Sequence, residues 1–241
     1  MVKLYSVKID SIINYQIFDQ LLVYFEKDKP LIKAFYKIED SQRALVSAVL
    51  IRVIAIYQLG IGSRQIQLGK NKYGKPFLKD QVDFHFNISH SGEWVVCAVD
   101  DEPIGIDIEK IQDIDLSIAD RLFSMQEFID IHALPQKEQL PYFYDIWTLK
   151  ESYIKAWGKG LSIPLDSFSI RVYKDGKVGI DTYNSFKDCH FKQFNIDDDY
   201  KLSVCSLKNE FPDCLINWNL GDLLHFFYAN VHNGYRYISL L

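Results

Sequence analysis

The spacing of apolar positions divides the chain into alternating and helical stretches. Residues 3–9 (Lys-Leu-Tyr-Ser-Val-Lys-Ile) alternate as an opening strand. From Ser41, a good N-cap, Leu45, Val46, Val49, Leu50, Val53, Ile54 and Tyr57 recur at helical spacing until Gly60, which predicts a core helix. Short strands are expected over 84–88 and 94–99, joined by the polar turn Ser89-His-Ser-Gly92. Ser124-Met-Gln-Glu127 matches a capping box and opens a short helix toward His132. A long helix follows, from about residue 138 to Trp157, with Pro141 in its first turn and Gly158 and Gly160 at its end. Past Pro164 the pattern turns β-like over 168–173, 176–180, 191–194 and 202–207. The last stretch, 211–241, is rich in aromatics (Trp218, Phe226, Phe227, Tyr228, Tyr235, Tyr237) and reads as added core or a packing strap.

Two segments stand out against this pattern. In Gly105-Ile-Asp-Ile-Glu109 a strand over 104–109 would send Asp107 and Glu109 to one face together. In the long helix, Trp147, Glu151 and Lys155 fall at i, i+4 and i+8 along one stripe. Three carboxylates able to converge, with a lysine one turn away, suit a hard divalent cation and an anionic substrate. Taken singly, the strand pair is ordinary surface polarity and Glu151–Lys155 an ordinary helix pair. Ile106 and Ile108 argue otherwise, because they imply a buried strand whose carboxylates need a partner. Lys150 adds local positive potential with no assigned role. Ser89 and His90 read either as a polar turn or as phosphate-binding groups.

Composition narrows the class. At 241 residues, with 48% hydrophobic and 15% aromatic positions, the chain fits one large domain or two subdomains sharing a core. A net charge of -5 gives no support for a nucleic-acid partner, and the early run Lys27, Lys29, Lys33, Lys37 and Arg43 reads as a solvated face. Cys97, Cys189, Cys205 and Cys214 form no C-x-x-C pair and no zinc spacing with histidines, as expected of reduced thiols. The N-terminus carries charge where a signal peptide needs an apolar core, and no run of eighteen apolar residues occurs. The expectation is a cytoplasmic protein with no membrane partner.

The order of motifs resembles a known family. Gly-Ile-Asp-Ile-Glu at 105–109, then Trp-Thr-Leu-Lys-Glu-Ser-Tyr-Ile-Lys at 147–155 and Gly-Lys-Gly-Leu at 158–161, is similar to the signature of 4'-phosphopantetheinyl transferases. Tyr-Gly-Lys-Pro at 73–76 and His-Phe-Asn-Ile-Ser-His-Ser-Gly at 85–92 resemble the surfactin-synthetase-activating type, over roughly residues 1–208. The resemblance implies an α+β fold of two similar α/β subdomains related by a pseudo-twofold, with coenzyme A in the cleft between them. Placing the joint near Pro103 gives subdomains 1–103 and 104–241, the segment 211–241 being an extra tail. It further implies transfer of the phosphopantetheine arm of coenzyme A to a serine of apo carrier proteins of nonribosomal peptide and polyketide synthases, releasing adenosine 3',5'-bisphosphate. Asp107, Glu109 and Glu151 match the Mg2+ ligands and Lys155 the lysine at the phosphates; Glu151 and Lys155 are the expected catalytic residues, with Glu151 or a metal-bound hydroxide as the base. Lys75, Pro76, Ser89, His90, Arg43 and Lys155 match the coenzyme A site. Nonpolar surface after Gly158 is the implied carrier contact, and a single chain holding both halves of the site implies a monomer.

Where relatives of that type place basic or hydroxyl groups at the 3'-phosphate, this chain has Asp28, Leu31 and Ala44, with Lys27, Lys29, Lys33 and Arg43 nearby. Each lost charge-assisted contact weakens phosphate binding by about 1.5–3 kcal/mol, so weak discrimination against 3'-dephospho-coenzyme A is expected. Two other readings compete: a Mg2+-dependent pyrophosphate hydrolase using the same carboxylates, and a carrier-binding module without catalysis.

Overall fold

The two long apolar-periodic stretches each fold as a 22-residue helix laid against its own sheet. The structure is a computed structural model describing residues 1–173 and 175–232. In chain order its elements are β1 (Lys3–Lys8), α1 (Tyr15–Leu22), α2 (Lys29–Lys33), α3 (Ile38–Leu59), β2 (Leu68–Lys70), β3 (Pro76–Leu78), β4 (His85–Ser91), β5 (Trp94–Asp100) and β6 (Ile104–Lys110). They continue with α4 (Ala119–Leu122), α5 (Met125–Ala133), α6 (Gln136–Trp157), β7 (Ser169–Val172), β8 (Val178–Asp181), β9 (His190–Phe194), β10 (Tyr200–Ser206), β11 (Ile216–Trp218) and α7 (Leu220–His232).

One sheet has the strand order β11-β1-β5-β4 and the other β6-β10-β9, while β2–β3 and β7–β8 form two-stranded ribbons. Among the described residues every pairing is antiparallel except β1 with β11. Because side chains alternate along a strand, Tyr5, Val7, Val95, Cys97 and Val99 join the core beneath α3. Leu4, Val96 and Ala98 leave the opposite face and meet Ile104, Ile106, Ile108, Leu202 and Val204 in a core between the sheets. The α6 helix packs on both β6 and β10, over the outer face of the second sheet. The molecule is the expected α+β arrangement of two similar halves.

Four details differ from the pattern-based reading. The α3 helix starts at Ile38, a turn before Ser41, which is buried inside it; Glu39 and Asp40 supply the negative charge that a helix N-terminus favours. The α6 helix starts at Gln136, so Pro141 stands in its interior. The carbonyl this leaves without a helical donor belongs to exposed Lys137, where water is available. The β4 strand runs to Ser91, which places Ser89 and His90 within a strand and not in a turn. The tail, counted with the second subdomain, instead returns to the first: β11 pairs with β1, and Leu223 and Phe227 of α7 enter the core beneath α3. Tyr235 and Tyr237 lie outside the described residues. The α3 helix is long and apolar enough to cross a membrane by length and composition, with 56% of that window buried in the molecule.

Helix and sheet approach closely at Gly105. A Cβ there would lie 2.0 Å from the Ser152 carbonyl oxygen and 2.4 Å from the Ala156 nitrogen, so β6 and α6 meet backbone to backbone. The Lys75 ammonium clasps this crossing, donating to the carbonyls of Ile104 (2.9 Å) and Ala156 (3.2 Å). Gly105→Ala should therefore destabilise the protein by about 1–3 kcal/mol, the usual cost of forcing added volume into a packed contact. Urea unfolding measures it, and a midpoint unchanged from the parent would contradict the close crossing.

Candidate active site

Two strand edges and one helix face build the site. The edge strands β4 and β6 face each other across the subdomain boundary, joined through side chains of β4. The Ile106 N–H donates to Asn87 Oδ1 (2.8 Å), the Lys110 N–H to Ser91 Oγ (3.0 Å), and the hydroxyls of Ser89 and Ser91 donate to Asp107 Oδ1 (2.8 Å) and Glu109 Oε2 (2.9 Å). Alternation puts Asn87, Ser89 and Ser91 on the same side of β4, while Phe86 turns into the core. Ser91 and Asn87 escaped the reading from sequence, although the polar period of two through 87, 89 and 91 was the available signal.

Asp107 is 2% exposed and lies at the centre. Its Oδ1 accepts from Ser89 and, at 2.5 Å, from the Lys155 ammonium, which also donates to Ser89 Oγ (3.1 Å). Its second oxygen, Oδ2, is buried without a partner among the described residues. Burial raises the Asp107 pKa, while Lys155 and Ser89 pull against it. Burial disfavours the Lys155 ammonium, but Asp107, Glu151 and Glu109 outweigh it and raise its pKa. Glu109 is pushed up to about 7 by burial and by the Asp107 charge, with Ser91 opposing. Glu151 is likewise raised to about 7, by burial first and by Asp107 and Glu109, with Lys155 opposing.

This arrangement is a concentration of negative charge held by one ammonium. The donor set is all oxygen, which suits Mg2+, and the orphaned Asp107 Oδ2 is a group that a cation would satisfy. Among the described residues, however, no three carboxylate, imidazole or thiolate side chains are already gathered as a ligand set.

The remaining candidates fall around this centre. His90 follows Ser89 on β4, and burial together with the Arg43 charge lowers its pKa, favouring the neutral ring. Arg43 reaches from α3 to the next turn, donating to the Gly92 carbonyl (2.6 Å) and pairing with Asp40. Lys75 lies apart from the carboxylates. Its ammonium is committed to the Gly105 crossing and burial lowers its pKa to about 8. With Pro76, His85, Phe86 and Trp157, it lines a cleft of about 320 Å³ beside that crossing. Lys150, expected to add charge to the site, is instead fully buried and paired with Glu127. Lys27, Lys29 and Lys33 are exposed, and Asp28 faces Arg52 at 3.5 Å.

A family profile described as the 4'-phosphopantetheinyl transferase superfamily matches residues 103–205, and one described as 4'-phosphopantetheinyl transferase, N-terminal, matches residues 15–102. The 4'-phosphopantetheinyl transferase Sfp of Bacillus subtilis is 41% identical over 223 residues, 92% of this chain and 100% of that protein. The 4'-phosphopantetheinyl transferase gsp of Aneurinibacillus migulanus is 40% identical over 86% of each chain. The human L-aminoadipate-semialdehyde dehydrogenase-phosphopantetheinyl transferase is 31% identical, over 76% of this chain and 66% of its own.

The raised carboxylates give a pH dependence. Both pKa values, about 7, exceed the 4.5 of a free glutamate, so the folded protein keeps these protons where the unfolded chain has lost them. The stabilisation is fully present below 4.5 and is lost as the pH rises toward 7. Without divalent cations, Tm should therefore fall from about pH 5 to about pH 8. The double variant Glu109→Gln/Glu151→Gln should flatten this fall, and the parent slope persisting in that variant would refute the assignment of the fall to these two buried carboxyls.

Proposed function

The chain belongs to the 4'-phosphopantetheinyl transferase superfamily, and from that premise we propose that it moves the phosphopantetheine arm of coenzyme A to a serine of apo carrier proteins of peptide and polyketide synthases. Adenosine 3',5'-bisphosphate is the second product. The observation that carries this reading is the convergence at Asp107: β4 supplies Ser89, β6 Asp107 itself, and α6 Lys155, all within hydrogen-bond reach. A joint at 103/104 is part of this reading, and the separation of β4 from β6 at that point supports it.

Asp107, Glu109 and Glu151 would hold Mg2+, which when bound neutralises the charge of a pyrophosphate. Ser89 and His90, at the end of β4, line the phosphate path, and Lys155 steadies the departing phosphate. Arg43 stands beside His90 for the nucleotide's 3'-phosphate. Lys75 and Pro76 belong to this coenzyme A wall through their main chain, Lys75 also bracing the β6–α6 crossing. The acceptor serine oxygen bonds to the phosphorus bearing pantetheine, the bond from that phosphorus to the bridging oxygen of the adenosine bisphosphate breaks, and the serine proton passes to Glu151. The carrier meets the nonpolar surface after Gly158, where Leu161 is 76% exposed. Both halves of the site come from one chain, which supports a monomeric enzyme.

Incubating the protein with an apo carrier, coenzyme A and Mg2+ should add one phosphopantetheine to the carrier, read by mass. Asp107→Ala should abolish the gain while leaving the circular dichroism spectrum folded. Degraded coenzyme A with an unchanged carrier would instead support hydrolysis. Competing coenzyme A against its 3'-dephospho form checks the nucleotide end. Asp28 turned toward Arg52 and exposed Leu31 predict discrimination below about tenfold. A strong preference for coenzyme A would mean that Arg43, His90 and the nearby lysines suffice.

A further inference from the structure

Two hydroxyls of β4 do more than join the subdomains, because each holds one oxygen of a β6 carboxylate and leaves the other. A serine oxygen carries a single proton, and what the oxygen must accept decides where that proton points. The Lys110 main-chain N–H can only donate, and it donates to Ser91 Oγ at 3.0 Å. The Ser91 proton is therefore directed to Glu109 Oε2, at 2.9 Å. Two residues back along β4 the pattern repeats. The Lys155 ammonium, also a pure donor, gives to Ser89 Oγ at 3.1 Å, and the Ser89 proton goes to Asp107 Oδ1 at 2.8 Å. Lys155 binds that same Oδ1, which leaves Asp107 its buried Oδ2.

The end of β4 is held in place from both subdomains. Ser91 leads into the two-residue turn Gly92–Glu93, where Gly92 has φ 54°. The Gly92 carbonyl accepts from Arg43 at 2.6 Å, and the Glu93 N–H donates to the Tyr200 hydroxyl at 3.0 Å. A Cβ on Gly92 would lie 2.1 Å from that hydroxyl, so Tyr200 of β10 rests against the turn itself. Pinned from α3 on one side and β10 on the other, Ser91 presents its hydroxyl from a fixed position. The Trp147 indole is drawn to the same Glu109 carboxylate and favours its charged form, a further donor competing for its oxygens.

Carboxylates held in this way each offer a cation one oxygen, not two. That difference separates divalent ions of equal charge. Ca2+ is large, takes about six to eight oxygens and accepts carboxylates that grip it with both; Mg2+ is smaller, near-octahedral and keeps several waters. We propose that Ser91 is a positioning residue which, with Ser89, restricts Glu109 and Asp107 to one-oxygen ligation and so sets the site against Ca2+ in favour of Mg2+. The proposal rests on the cation site assigned above to Asp107, Glu109 and Glu151.

The test displaces Mn2+ from the whole protein with Mg2+ and, separately, with Ca2+, following free Mn2+ by electron paramagnetic resonance. The parent should need more Ca2+ than Mg2+ for half-displacement. In Ser91→Ala that Ca2+-to-Mg2+ ratio should fall about tenfold, the scale on which groups that orient metal ligands act. Ser91→Thr keeps the hydroxyl and should keep the ratio within about twofold of the parent. A parent that yields to Ca2+ as readily as to Mg2+ would overturn the proposal, and this comparison needs no variant to fold. An unchanged ratio in Ser91→Ala would overturn it too, as would a fall in Ser91→Thr equal to that in Ser91→Ala. The two layers fail separately: a parent that binds no Mn2+ refutes the cation site and the selectivity with it, whereas Mn2+ binding with an unchanged ratio refutes the selectivity alone.

Discussion

The approach of β6 to α6 at Gly105 sets the distance on which the site depends. A side chain at that position would have to occupy the space of the Ser152 carbonyl, so glycine is what lets the helix backbone rest on the strand. Two residues along the strand, Asp107 then comes within reach of Lys155, and Glu109 lies near enough to Asp107 and Lys155 to feel both charges. The crossing converts two one-dimensional patterns, a strand period of two and a helical stripe, into a three-dimensional cluster. Lys75 reinforces it with an ammonium spent on main-chain carbonyls from both elements.

Charge is kept in the site at the expense of ordinary pairing. Three carboxylates share the neighbourhood of one ammonium, and the unpartnered oxygen of Asp107 marks a demand that the protein alone does not meet. The neighbouring Lys150–Glu127 pair shows the opposite solution, in which every donor and acceptor is used. The two lysines of one helix therefore have different fates: Lys155 joins an under-compensated cluster suited to a ligand, and Lys150 a saturated one suited to architecture. A saturated buried pair resists change because removing either partner strands the other charge.

Much of this was legible in the sequence. Alternation and helical spacing located β1, β4, β5, β6, β10, α3, α5 and α6, and the D-x-E strand with the Glu-x-x-x-Lys helix named the groups that the fold brings together. The losses have physical causes. Ser89-His-Ser-Gly resembled a turn because polar residues crowd its end, yet the strand continues there since Ser89 and Ser91 bond across to β6. The partner of Lys150 is twenty-three residues away, on α5, which no local pattern reveals. The return of β11 to β1 is a long-range parallel pairing three residues long, too short to announce itself by alternation.

The central claim is that the Gly105 crossing assembles one oxygen-donor cation site from β6 and α6. Manganese binding followed by electron paramagnetic resonance tests it directly, with Mn2+ standing in for Mg2+. A single Mn2+ per chain should bind, and both Asp107→Asn on the strand and Glu151→Gln on the helix should weaken it. Undiminished Mn2+ binding in both variants would contradict the account.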